Sequence, residues 1–192
     1  MSQAPTLEQL PNEVFRDYDI RGLAYTQITA EFAARLGAAL AVMFKGKNHN
    51  AIYLGRDCRL NSEDLSIALC QGLLNQGMDV IDLGAVSTPV VNYSIHCGDK
   101  ADLGIMITAS HNPKQYNGFK IVVRDEVIDG EILQQLKQLM QLVTPKLPQI
   151  GELIAEDMSK IYLEAITQSC RPKKNFKLVV DAGNAVAGPL AE

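Results

Sequence analysis

The chain has 192 residues, 47% of them hydrophobic and 21% charged, with a formal net charge of −4. This is an ordinary globular balance with enough apolar mass for a sizeable core. An acidic chain without a basic patch argues against a nucleic-acid partner, the lack of an apolar run of about 18 residues argues against a membrane span, and the polar start from Met1 to Asn12 holds no leader core, so the cytoplasm is the expected compartment.

The elements follow in chain order. Residues 29–45 read as a helix capped by Thr29, with Phe32, Leu36 and Leu40 on one stripe. Ala51 to Leu54 is a short buried strand. A helix capped by Asn61 or Ser62 carries Leu65, Leu69 and Leu73, and Gly77 terminates it. Asp79 to Leu83 is the next strand, with a turn at Gly84. A weaker helix starts after Thr88-Pro89, where proline suits a first turn. Leu103 to Ile107 and Phe119 to Val123 are two more strands, separated by a polar loop and followed by turn residues Asp125 and Glu126. The clearest helix carries Ile132, Leu133, Leu136, Leu139, Met140 and Val143, capped by Asp129 and stopped at Thr144-Pro145.

This alternation predicts a layered α/β domain over residues 13–145, behind an N-terminal tail at 1–12. Its strands are short and apolar, as in a sheet covered on both faces. A linker spans 146–152. Residues 153–170 resume a helical pattern, Lys177 to Asp181 reads as a strand, and Gly183 to Gly188 as a glycine-containing turn toward a helix. Residues 153–192 are thus expected to be the truncated start of a second domain.

Cysteines 58, 70, 97 and 170 show neither Cys-x-x-Cys spacing nor a neighbouring histidine cluster, which points to reduced thiols rather than zinc. His49 and His96 stand alone and receive no role.

The chemistry concentrates in Thr108-Ala109-Ser110-His111-Asn112-Pro113, followed by Asn117-Gly118-Phe119-Lys120. An apolar strand delivers Ser110 into a loop where proline stops further pairing. A serine hydroxyl is a weak nucleophile and needs a base or a charge-stabilising site. Lys120 could neutralise a phosphate or move a proton, Asn112 could donate to an oxygen, and His111 could converge on Ser110 within a loop. The alternative is an ordinary strand-to-turn junction, where these residue types are common. No Gly-x-Ser-x-Gly elbow surrounds Ser110, which ranks a serine hydrolase low.

The Ser110 segment resembles the phosphoserine loop of the α-D-phosphohexomutases. Phe15-Arg16-Asp17-Tyr18-Asp19-Ile20-Arg21-Gly22 resembles the N-terminal signature of their bacterial phosphomannomutase/phosphoglucomutase branch. Gly55-Arg56-Asp57-Cys58-Arg59 and Val180-Asp181-Ala182-Gly183-Asn184-Ala185-Val186-Ala187-Gly188 resemble the end of a first-domain strand and the opening of the second domain. Cys58 and Ala185 stand where the family often has glycine. The resemblance implies a three-layer α/β/α sandwich with a mixed sheet, plus the opening βα unit of a second similar domain.

It also implies a phosphohexomutase that interconverts hexose 1- and 6-phosphates of mannose or glucose through a phosphoserine and a hexose 1,6-bisphosphate. Ser110 would carry the phosphoryl group, Lys120 would act as general acid/base, and Arg21 would lie close to the phosphoserine. His111 and Asn112 would shape the loop, and Tyr18 would sit near the substrate. Arg56, Asp57 and Arg59 read as a charge network rather than catalysts, and the alternative to a functional role for Gly22 and Gly118 is a turn with positive φ. Magnesium would meet Ser110 through its phosphate, with aspartate ligands beyond residue 192, so the chain alone is expected to be inactive. The apolar stretch from Phe176 to Val180 would offer an edge for self-association. Phosphoglucosamine mutase, or a non-catalytic α/β interaction module, remain as alternatives.

Overall fold

The structure, a computed structural model, describes residues 10–45, 47, 49–143, 150–170 and 172–192. After a short 3-10 turn at Asn12–Val14, the elements run β1 (Ile20–Leu23), α1 (Ala30–Lys45), β2 (Ala51–Arg56), α2 (Ser62–Leu74), β3 (Asp79–Ala85) and α3 (Thr88–Cys97). They continue with β4 (Leu103–Ile107), β5 (Tyr116–Val123), α4 (Gly130–Leu142), β6 (Leu153–Ala155), α5 (Met158–Ser169) and α6 (Gly188–Ala191). The six strands form one mixed sheet in the order β1-β5-β4-β2-β3-β6. β2, β3, β4 and β6 pair in parallel, while β5 runs antiparallel to both β4 and β1.

Period-two alternation sorts the strand side chains between two cores. Ile52, Leu54, Ile105 and Ile107 face α1, α2 and α4, where Leu36, Leu40, Leu65, Leu69, Leu133 and Leu136 pack. Tyr53, Ile81 and Met106 face the other way, against Val90, Val91 and Ile95 of α3 and Met158 of α5. The result is the expected three-layer α/β/α sandwich. Every residue of β4 is buried, so the strand that delivers Ser110 is also the most enclosed.

Several local expectations hold. Thr29 Oγ1 accepts from Phe32 N at 3.1 Å, and Asp129 accepts from the amides of Glu131 and Ile132. Gly77 has the positive φ, +73°, of a helix terminator. α3 carries its proline in the first turn.

Other expectations are corrected. β1 lies in a segment whose strand character was not read, because a charge and a glycine interrupt its four residues. β5 begins at Tyr116, three residues before the expected Phe119, and these extra residues pair with β1. Gly22 and Gly118 lie within paired strands and have no positive φ; the positive-φ glycines among the described residues are Gly77, Gly84 and Gly183. β3 runs through Gly84, whose φ of +68° accompanies a shift of register against β2 rather than a strand end. The start of the stretch read as helical, Leu153–Ala155, is instead an edge strand on β3, and the helix begins at Met158 behind the Asp157 cap.

Lys177 to Asp181 forms no strand, and Phe176, Leu178, Val179 and Val180 are exposed. A strand needs a neighbouring backbone for its ladder, and none of the six strands pairs with this segment. The Thr144-Pro145 stop and most of the linker fall outside the described residues.

Candidate active site

Ser110 follows the carboxyl end of β4 by three residues. Thr108 and Ala109 are still buried, and the chain then emerges, leaving Ser110 exposed. The serine has a φ of +54°, a left-handed conformation that costs an L-residue roughly 1–2 kcal/mol. Such a conformation persists only where the surroundings determine it. Here the loop closes on itself, with Asn112 N donating to Ala109 O and Tyr116 N to Pro113 O, both at 3.0 Å.

The support beneath the loop comes from the end of β2. Asp57 is buried and accepts from Ser62 Oγ at 2.6 Å, Thr108 Oγ1 at 2.7 Å, and the Arg59 amide and Nε at 3.1 and 3.0 Å. Asn61 holds the N-cap position of α2, as expected, but its side chain makes no cap hydrogen bond to the helix. Ser62 Oγ serves Asp57, and Asn61 Oδ1 accepts from Asn117 Nδ2 at 2.9 Å. Arg59 reaches across to the loop and donates to the carbonyls of Ser110, Asn112, Pro113 and Tyr116 at 2.8–3.1 Å. The charge network read from Asp57 and Arg59 is therefore real and lies directly under the serine. Arg56 stands apart from it, 3.6 Å from Glu63.

A second group converges from β1 and β5. Arg21 pairs across the sheet with Gly118, and an added Cβ on Gly118 would lie 2.2 Å from Ile20 O. Glycine is thus required by the close approach of the two strands, not by φ. Arg21 Nη1 donates to Asn112 Oδ1 at 2.8 Å, its Nη2 pairs with Asp19, and Lys120 Nζ reaches the same Asp19 oxygen at 3.1 Å. Arg21 Nε is buried and lacks a partner among the described residues. The structure so brings Ser110, Asn112, Arg21 and Lys120 into one neighbourhood through Asp19 and the loop. His111 is exposed, and its ring has no hydrogen-bond partner among the described residues. Tyr18 is 74% exposed.

A cleft of about 880 Å³ opens beside the serine. Ser110, Asn112 and Lys114 face it from the loop, Arg59 and Leu60 from the end of β2, and Thr88 from the start of α3. Lys120, Arg21, His111 and Tyr18 do not line it. Sequence reasoning gave no site role to Asp19, which ties the two cations together, and placed Arg59 in a charge network without its hold on the loop. The alternation of charges in both motifs was the only clue.

Magnesium finds no ready cage here. Among the described residues no group of three or more His, Cys, Asp or Glu side chains gathers to hold a metal. Asp57 and Asp19, which support the loop and its cations, are already occupied by their donors.

The site is an exposed serine on an anchored loop at the carboxyl end of a buried strand, in a three-layer α/β/α domain, with Arg21 tied to the loop through Asn112 and to Lys120 through Asp19. The family described as phosphoglucomutase/phosphomannomutase, alpha/beta/alpha domain I, matches residues 12–144, and the chain belongs to it. A phosphomannomutase/phosphoglucomutase of Pseudomonas aeruginosa is 37% identical over 190 residues, covering 99% of this chain and 40% of that protein. A phosphoglucomutase of Neisseria meningitidis serogroup B is 34% identical over 188 residues, covering 96% of this chain and 40% of the relative. The crystal structure of a phosphoglucomutase/phosphomannomutase family protein from Burkholderia thailandensis superposes with a TM-score of 0.88 at 35% identity, over 95% of this chain and 41% of that one. The chain thus spans about two-fifths of the length of the curated relatives it matches.

Proposed function

We infer that this chain is the phosphoserine-bearing part of a phosphohexomutase acting on mannose or glucose phosphates. The observation that carries the reading is Ser110: exposed, left-handed, fixed from below, and facing a cleft large enough for a sugar phosphate. In the forward step a phosphoryl group on Ser110 Oγ passes to the free hydroxyl of a hexose monophosphate. The serine O–P bond breaks, a sugar O–P bond forms, and the hydroxyl proton leaves the sugar. The bisphosphate then returns its other phosphoryl group to Ser110, which yields the isomeric monophosphate.

Lys120, tied to Asp19 beside Arg21, would take and return the proton. Arg21 orients Asn112 and supplies positive charge near a group that gains roughly −1.5 to −2 on phosphorylation. Phosphoryl transfer depends chiefly on such positioning and charge stabilisation. Magnesium would contribute further charge neutralisation when bound, and most of its ligands would come from outside these residues. For that reason we infer that the chain alone does not complete the cycle. Tyr18 and His111, both exposed, would meet the substrate rather than the reacting oxygen.

The test is intact mass with peptide mapping after incubation with glucose 1,6-bisphosphate, for this chain and for a longer protein that includes it. Phosphate on Ser110 in either supports the reading, and Lys120→Met should slow its uptake. Absence of phosphate at Ser110 in both would overturn it. Isomerisation of mannose 1-phosphate by this chain alone, at a rate typical of enzymes, would overturn the inference of inactivity.

A further inference from the structure

We propose that Arg59 is a positioning residue for phosphoryl transfer, holding the backbone of Ser110 without touching the reacting atoms; the proposal rests on the carrier role of Ser110. A guanidinium has five N–H donors in a fixed fork. In Arg59 five acceptors match them. Nε serves Asp57 Oδ2, Nη1 serves the carbonyls of Pro113 and Tyr116, and Nη2 those of Ser110 and Asn112. The side chain is 15% exposed, so these bonds compete little with water.

The serine is held from both sides by one short segment. Its carbonyl accepts from Arg59 at 2.9 Å. Its amide donates to Thr108 Oγ1 at 2.9 Å, and that hydroxyl donates to Asp57 at 2.7 Å. Both backbone polar groups of Ser110 therefore lead to the Asp57–Arg59 pair. The pair itself is set by the sheet, because the Asp57 amide donates to Ile107 O, the last residue of β4. The left-handed φ of Ser110 is unfavourable alone, and this anchorage is what selects it. Lysine cannot substitute. An ammonium can pair with Asp57, but it has three donors at a point and cannot span four carbonyls.

The test compares wild type, Arg59→Lys and Arg59→Gln in two readouts. Hydrogen exchange at the amides of Ser110, Asn112 and Tyr116 should accelerate at least about tenfold in both variants, while β2 and β4 stay protected. The maximal rate of Ser110 phosphorylation by glucose 1,6-bisphosphate should fall about 100-fold, with the half-saturating concentration changed less than about threefold, the pattern of misplacement rather than lost binding. Uniform acceleration across the sheet would show a purely structural role and overturn the proposal. So would unchanged loop exchange, or Arg59→Lys transferring at more than about half the wild-type rate. If wild type never accepts phosphate although the loop loosens as expected, the carrier role of Ser110 fails, and the transfer role of Arg59 fails with it, leaving only a loop anchor.

Discussion

Gly118→Ala tests how β1 is held beside the site. The new Cβ would lie 2.2 Å from Ile20 O and 3.1 Å from the Arg21 Cα. A carbon and a carbonyl oxygen in neighbouring strands approach to about 3.3 Å, so the strands must part by roughly 1 Å. The obstacle is backbone on both sides, and no rotamer change relieves it. A hydrogen bond near 2.9 Å stretched by that amount is largely lost. Overpacking of this kind costs about 1–3 kcal/mol, and the loss of ladder bonds adds about 1 kcal/mol each. The expected destabilisation is about 3 kcal/mol, a large part of the 5–15 kcal/mol typical of a domain. It falls on the strand that places Arg21 against Asn112. Urea unfolding gives the stability, and the rate of Ser110 phosphorylation reports the site. Gly130→Ala is the control, because its nearest contact is 3.9 Å away and helix α4 starts there, so it should be neutral or slightly stabilising. A loss below about 1 kcal/mol in Gly118→Ala would refute the close approach as the reason for glycine.

Asp129→Ala removes the acceptor for two orphan amides at the start of α4 and should cost about 1 kcal/mol, a fall of roughly 2–4 °C in melting temperature, whereas Asp129→Ser should recover most of it. Burial pushes the Cys70 thiol up to about 11 from an ordinary value of 9.0. The unfolded chain therefore ionises this group first, stability falls as pH rises from about 9 to about 11, and Cys70→Ala should flatten that decline in urea titrations. At pH 8 a bulky thiol reagent should modify the exposed Cys58, Cys97 and Cys170 and spare the buried Cys70, as mapped by mass spectrometry. The exposed Phe176, Leu178, Val179 and Val180 should drive concentration-dependent association, and sedimentation that shows only monomer for both wild type and Val179→Lys would refute it.

The elements legible in the sequence are those whose apolar periodicity has a large core to answer to. α1, α2 and α4 show their stripes because each covers a sheet face, and β2 and β4 show apolar runs because they are buried on both sides. β1 and β6 escaped because they are edge strands of four and three residues, paired on one side only. A strand so short holds too few alternations to distinguish period 2 from period 3.6. Lys177 to Asp181 failed in the opposite way: its apolar run has the composition of a buried strand, but no described strand pairs with it.

At the site, the residues that announce themselves are those with distinctive chemistry, Ser110 and Lys120. Arg59 does not, although every one of its donors is used. Four of its five acceptors are backbone carbonyls, 51 to 57 positions further along the chain. A carbonyl is present at every residue and leaves no mark in the sequence. The pairing of β2 with β4 alone brings Arg59 under the loop. The same holds for Arg21, whose place beside Asn112 depends on β1 lying antiparallel to β5 at a glycine. A buried arginine that serves backbone therefore reads in sequence only as one member of a charge network. Its role becomes visible only when its donors are counted against the carbonyls around them.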